Sequence, residues 1–153
     1  MTVITTKPVS VACDHAGRPL AEQIIAHLEK EGVAVIDHGA AGTASVDYPV
    51  YADKLCRAIS DGKSDLGILV CGTGVGMSMA ANKHKGMRAA VVSDTFSARL
   101  TRMHNDANVL CLGARVVGAG LALDIVDLFL TTSFEGGRHQ KRVDMLNELD
   151  KQK

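Results

Sequence analysis

The chain is 153 residues long, one domain's length, and its 17 Lys and Arg balance 17 Asp and Glu. Zero formal charge, 2 Tyr, 3 Phe and no Trp argue against partners held by electrostatics or base stacking, so neither nucleic acid nor an anionic membrane surface is expected. With 46% apolar residues, no apolar run near about 18 residues and an opening MTVITTKPVS without an apolar signal core, a cytoplasmic globular protein is expected.

In chain order, residues 1–7 read as an N-terminal lead-in and residues 8–153 as a single domain. A β-branched apolar run at 9–13 reads as the first strand, and Leu20, Ile24 and Leu28, spaced by four, as the helix after it. The run 33–37 gives a second strand, residues 39–46 an Ala- and Gly-rich loop, and Ala52, Leu55 and Ile59 a second helix. The run 66–71 gives a third strand, and a glycine-rich turn then opens a helix through Met77 to Ala81. The run 87–93 is a fourth strand, followed by a helix carrying Ala98, Leu100 and Met103. After a fifth strand at 108–112, Leu121, Ile125 and Leu128 mark another helix, and Val143 and Leu146 a short last one. This alternation predicts an α/β fold: a three-layer, doubly wound parallel sheet of five strands, Rossmann-like, covered on both faces. The order 2-1-3-4-5 is assumed as the commonest five-stranded arrangement. It makes strands 1 and 3 neighbours whose helices leave on opposite faces, and the crevice at their carboxyl ends is the expected ligand site.

That crevice collects Cys13-Asp14-His15 after strand 1 and Cys71-Gly72-Thr73-Gly74-Val75-Gly76 after strand 3. The glycines let the backbone turn sharply, and N–H groups at a helix start favour bound anions. Cys71, directly before them, is the candidate reactive thiol, because such donors favour a thiolate, and Thr73 is placed to bond the sulfur or a substrate. Cys13, Cys56 and Cys111 read as inert buried thiols. No cysteine forms a CxxC pair, and no second close pair accompanies Cys13 and His15, so no metal site is expected. Asp14 also suits a cap on the helix that begins near Arg18. His104 closes the helix after strand 4, and Arg138 and Arg142, four apart, share a helix face that suits a phosphate as well as solvent. His27, His38 and His84 read as surface residues. The glycine spacing is G-x-G-x-G rather than the dinucleotide G-x-G-x-x-G, although Asp94 sits where a ribose-binding acid would. A nucleotide-binding oxidoreductase therefore stays open as a rival, as does a non-catalytic binding protein on the same fold.

Seven segments in order resemble the ribose-5-phosphate isomerase type B family, which includes the galactose-6-phosphate isomerase subunits. They are Cys13-Asp14-His15-Ala16-Gly17, Asp47-Tyr48-Pro49, the Cys71–Gly76 loop, Ala80-Ala81-Asn82-Lys83, His104-Asn105-Asp106, Asn108-Val109-Leu110 and Glu135-Gly136-Gly137-Arg138-His139. The resemblance implies aldose–ketose isomerisation of a sugar phosphate through an enediolate, with no metal and no cofactor. It assigns Cys71 as the base, Thr73 as its assistant and the backbone N–H groups of Gly72, Thr73, Gly74, Val75 and Gly76 as the oxyanion site. His104 would protonate the ring oxygen during ring opening, with Asp14 as its partner, and Asn105 would bind a hydroxyl or the oxyanion. His15, Arg115, Arg138 and Arg142 match phosphate-binding positions, and His139 is grouped with them. Ribose 5-phosphate and ribulose 5-phosphate are the default substrates, and four- or six-carbon sugar phosphates (erythrulose 4-phosphate, allose 6-phosphate or galactose 6-phosphate) the alternative.

Topology adds one expectation. Cys71 ends a strand, whereas His104, Arg138 and Arg142 lie where helices have returned to the opposite edge of the sheet. The site is therefore expected to be composite, in a homodimer or in a tetramer built from such dimers.

Overall fold

The computed structural model describes residues 1–152. Five parallel strands form one sheet: β1 (Val9–Cys13), β2 (Val35–Asp37), β3 (Gly67–Cys71), β4 (Ala89–Val91) and β5 (Val109–Gly113). Six helices connect and follow them: α1 (Arg18–Lys30), α2 (Tyr48–Ser60), α3 (Val75–Ala81), α4 (Thr95–Asn105), α5 (Ala119–Thr131) and α6 (Arg138–Leu149), the last ending in a 3-10 turn over Asp150–Gln152. The three-layer α/β architecture is the expected one.

The strand order is not. It is β2-β1-β3-β5-β4, with the last two exchanged relative to the expected 2-1-3-4-5. The cause is burial. β5, Val-Leu-Cys-Leu-Gly, is buried throughout, whereas β4 is three residues long and ends on a half-exposed Val91. A fully apolar strand gains most in the interior, where both faces and both edges are covered, and the short strand takes the edge. Right-handed crossovers then put α1, α4 and α5 on one face and α2 and α3 on the other. The first face packs Leu20, Ile24, Leu28, Ile125 and Phe129 over Val11, Ile68, Val70 and Leu110. The second packs Leu55, Cys56, Met77 and Ala81 over Ala12, Leu69 and Cys111. Each fully buried side chain of this size contributes about 1.5–3 kcal/mol, and Phe129, Ile24, Leu28 and Leu55 are at 0% exposure.

The exchange leaves β1 and β3 adjacent, so the expected crevice survives. Cys13 pairs with Val70, and the N–H of Asp14 donates to the Val70 carbonyl at 3.2 Å. Gly17 is pressed against that carbonyl: a Cβ there would lie 2.2 Å from Val70 O. At the other edge residues 1–7 are tied down. Ile4 N–H donates to Leu130 O, and Lys7 and Thr5 both bond Asp65.

The three histidines read as surface residues are half-buried and bonded. His27 pairs with Asp127 at 2.7 Å, His84 with Asp53 at 2.8 Å, and His38 with Ser10 Oγ at 3.1 Å, which in turn bonds Ser64 Oγ. Asp94 is occupied as the α4 N-cap, accepting from Ser97 N–H at 2.7 Å, which takes away the residue that favoured a ribose site. No helix among the described residues is long and apolar enough to cross a membrane.

Candidate active site

At the carboxyl edge, the turn after β3 wraps around the Cys71 sulfur. Gly74 adopts φ 80°, a left-handed conformation open to glycine at little cost, and its N–H donates to Cys71 Sγ at 3.1 Å. Its neighbours leave no room for a side chain, since a Cβ would meet Leu112 backbone at 3.0 Å. Val75 N–H donates to Thr73 Oγ1 at 3.3 Å. Two donors of the expected oxyanion loop are thus engaged internally, one by the thiol and one by the threonine hydroxyl. Cys71 is 5% exposed at the crevice floor. The other thiols sit differently: burial pushes Cys13 up, Cys56 to about 12 and Cys111 upward as well. They suit packing rather than nucleophilic work.

Asp14 is buried beside this loop. It does not cap α1, whose N-cap is Gly17; its Oδ1 instead accepts from Gly17 N–H at 2.9 Å and fixes the turn leading into that helix. His15 Nδ1 accepts from Val46 N–H at 3.2 Å, which leaves Nε2 as the outward nitrogen and ties the 39–46 loop to the crevice. Arg115 reaches over Gly72, where a Cβ would lie 3.5 Å from Arg115 Nη1, and its N–H donates to Gly72 O at 3.0 Å. Tyr48, to which the motif analysis assigned no role, stacks so closely on Gly76 that a Cβ there would lie 2.7 Å from the ring. Cys71, Thr73, Asp14, His15 and Arg115 therefore share one edge of the sheet.

The other expected residues lie at the opposite edge. α4 starts at the carboxyl end of β4 and runs back for 11 residues, about 16 Å, so His104 and Asn105 reach the amino edge. Asp106 ends the helix at φ 46°, the one non-glycine with positive φ among the described residues. Its carboxylate holds Arg88 and Arg102, each at 3.0 Å, and Arg102 also bonds the carbonyls of Ala107 and Thr132. The third residue of the His104-Asn105-Asp106 motif thus anchors the end of the helix that carries the first. Arg138 and Arg142 project from the first turns of α6, exposed and with no ion-pair partner among the described residues.

His139 departs from its expected place among the phosphate ligands. It is 5% exposed and its ring stacks on His104, with centroids 4.1 Å apart and planes 10° apart. Glu135 lies beside both rings. A carboxylate at that place repels a phosphate. These three residues are the one group among those described whose His and carboxyl atoms come within 4.8 Å of one another, as metal ligands would. The stacking tells against a chelate, because near-parallel rings send their lone pairs along parallel lines instead of converging on one ion. A cavity of about 470 Å³ lies at the β4 edge among Met87, Ala90, Thr101, Asn105 and Leu146.

The family model for ribose/galactose isomerases matches residues 9–146. Ribose-5-phosphate isomerase B of Escherichia coli is 49% identical over 96% of this chain and 99% of its own. Among solved structures, ribose-5-phosphate isomerase B from Clostridium thermocellum superposes with a TM-score of 0.93 at 49% identity, over 95% of this chain and 98% of its own. The enzyme from Mycoplasma genitalium, solved with bound ribulose-5-phosphate, gives a TM-score of 0.92 at 42% identity, over 97% and 99% of the two chains. With likeness over nearly the full length of each relative and the motif residues in place on the shared fold, the chain belongs to the ribose/galactose isomerase family.

Proposed function

We propose that this protein interconverts ribose 5-phosphate and ribulose 5-phosphate, with residues 8–153 as the working unit and residues 1–7 as a lead-in. The observation that carries the substrate is the full-length likeness to ribose-5-phosphate isomerases B, one of them solved with ribulose-5-phosphate. The observation that supports the base is the Gly74 N–H aimed at Cys71 Sγ.

In this reading His104 donates a proton to the sugar's ring oxygen while the anomeric hydroxyl loses one toward Asp14, which opens the ring to the aldehyde. Cys71, as thiolate, then takes the proton from C2, and the electron pair moves through C1 to O1, giving an enediolate. Backbone N–H groups of the 72–76 loop receive the charge at O1, and Thr73 turns its hydroxyl from Val75 toward the substrate. The thiol returns its proton to C1 as the O2 hydroxyl proton passes to O1, and the ketose results. No metal or cofactor takes part in these steps. His15, Arg115, Arg138 and Arg142 hold the phosphate, and Asn105 a hydroxyl. Because Cys71 and His104 lie at opposite edges of one sheet, a working site takes His104, Asn105, Arg138 and Arg142 from a second copy.

Steady-state kcat/KM on a panel of four-, five- and six-carbon aldose and ketose phosphates tests the substrate. Ribose 5-phosphate and ribulose 5-phosphate should lead. A ten-fold preference for another chain length would replace the substrate while keeping the mechanism.

A further inference from the structure

The histidine pair at the end of α4 poses a question that the isomerase reading leaves open. His139 Nε2 is the one buried side-chain nitrogen or oxygen among the described residues without a hydrogen-bond partner. A buried polar atom left so costs free energy, so its placement calls for a reason. It faces Glu135 Oε2 at 3.5 Å, and the same oxygen faces His104 Nε2 at 3.7 Å. Glu135 is itself held, its N–H donating to Met103 O at 3.0 Å, one residue before His104. Gly136 and Gly137, at φ 66° and 55°, reverse the chain so that the first turn of α6 lays the His139 ring flat on that of His104.

A charge on His104 disfavours a charge on the His139 ring stacked 4.1 Å from it. The groups facing His139 are His104 on α4, Arg138 and Arg142 on its own helix, and Glu135 in the loop. Burial first, then the neighbouring His104 and arginines, holds its pKa below the ordinary 6.5. His139 therefore favours its neutral form and presents a flat, buried ring to His104.

We propose that His139 and Glu135 are positioning residues for His104. The His139 ring fixes the plane of the His104 imidazole, and the Glu135 carboxylate fixes its rotation within that plane by facing Nε2. The proposal rests on the reading of His104 as the ring-opening acid, and substrate chemistry separates the two. Ribulose 5-phosphate has no ring to open, because its C5 oxygen carries the phosphate and cannot close on the C2 ketone. Ribose 5-phosphate is a furanose and must be opened. An aldose without the C4 hydroxyl, 4-deoxyribose 5-phosphate, cannot close a furanose and needs no opening.

The experiment measures initial rates on ribose 5-phosphate and on 4-deoxyribose 5-phosphate for wild type and for His104→Ala, His139→Ala, His139→Phe, Glu135→Ala and Glu135→Gln. Misplacement of a reacting group by about 1 Å costs on the order of 100-fold. His139→Ala and Glu135→Ala should lose roughly 10- to 100-fold in kcat from ribose 5-phosphate. They should lose less than about three-fold on 4-deoxyribose 5-phosphate, because neither variant alters the Cys71 proton transfer. His139→Phe keeps a neutral flat ring and should recover most of the lost rate. Glu135→Gln keeps the shape but not the charge and should fall between. The His104 ring protons, shifted upfield by the stacked neighbour, should move downfield in His139→Ala, a readout independent of turnover. Equal losses on both substrates, or no loss, would overturn the positioning roles. Should His139→Ala fail to fold, the exposed Glu135 variants decide. His104→Ala is the reference: without a larger loss on ribose 5-phosphate than on the 4-deoxy sugar there, the ring-opening reading falls and the proposal with it. With that difference there but not in the Glu135 and His139 variants, the positioning alone is wrong.

Discussion

The separation of Cys71 from His104 makes a quantitative prediction about mixed assemblies. Cys71→Ala removes the base from the carboxyl edge, and His104→Ala removes the acid from the amino edge, roughly one α4 length, about 16 Å, away. Each variant alone should be nearly inactive on ribose 5-phosphate. When the two are mixed in equal amounts under conditions that exchange subunits, about half the dimers are mixed, as random pairing in a two-fold assembly requires. In a mixed dimer one composite site carries both lesions, and the other pairs the intact Cys71 of one copy with the intact His104 of its partner. One site in two, in half the dimers, gives roughly a quarter of wild-type activity. The assay is initial rate after denaturant-assisted exchange, with mixed dimers quantified by native mass spectrometry of one tagged variant. Mixed dimers without recovered activity would show that each site lies within one chain, and would refute the reasoning from helix direction.

Cys71→Ala should abolish most isomerisation, by at least about 10²–10⁴, while the protein still folds and binds ribulose 5-phosphate by calorimetry; retention of most of kcat would make Cys71 an ordinary packed thiol. Iodoacetamide should inactivate the wild type with protection by substrate, and Cys56→Ala should inactivate at the wild-type rate. Dialysis against EDTA should leave kcat unchanged, and activity lost there and restored by a divalent ion would replace the thiolate route with metal-assisted transfer. Gly17→Ala puts a Cβ 2.2 Å from Val70 O, and overpacking of this kind costs about 1–3 kcal/mol, a fall of roughly 2–10 °C in Tm by calorimetry; an unchanged Tm would mean that the β1–β3 crevice gives way easily. Burial holds the His38 imidazole below its ordinary 6.5, so the unfolded chain takes up that proton first. The contribution is fully present above pH 6.5, is lost as the pH falls from there, and leaves a Tm slope that His38→Gln should reduce.

What could be read from the sequence was what local pattern determines. Strands and helices followed from apolar runs and four-residue spacing, and the crevice followed from strand 1 and strand 3 being neighbours in either order. The exchange of β4 and β5 went unread because both are short apolar runs; the signal was there in the polar flanks of β4, between Arg88 and Ser93-Asp94, against the unbroken Val109–Leu112. The histidines were misjudged for a different reason. His27, His84 and His38 find partners 100, 31 and 28 residues away, and no local window shows a bond made by tertiary folding. His139 falls between these cases, since Glu135 four residues before it is visible as an i,i+4 pair while its stack on His104 is not.

The division of the site follows from the same topology. In a parallel α/β sheet the residues after strands face one edge, and the residues at the ends of returning helices face the other. Here Cys71, Thr73, Asp14, His15 and Arg115 are of the first kind, and His104, Asn105, Arg138 and Arg142 are of the second. If a base and an acid placed this way serve one sugar, as proposed, they do so across a boundary between two copies, and two-fold symmetry would supply both halves twice. On that proposal Arg138 and Arg142, exposed and without an ion-pair partner among the described residues, would meet a phosphate held by His15 and Arg115 of another copy. Replacing either arginine by Gln should therefore raise KM for the sugar phosphate far more than it lowers kcat, and should leave the fold of the separate chain intact.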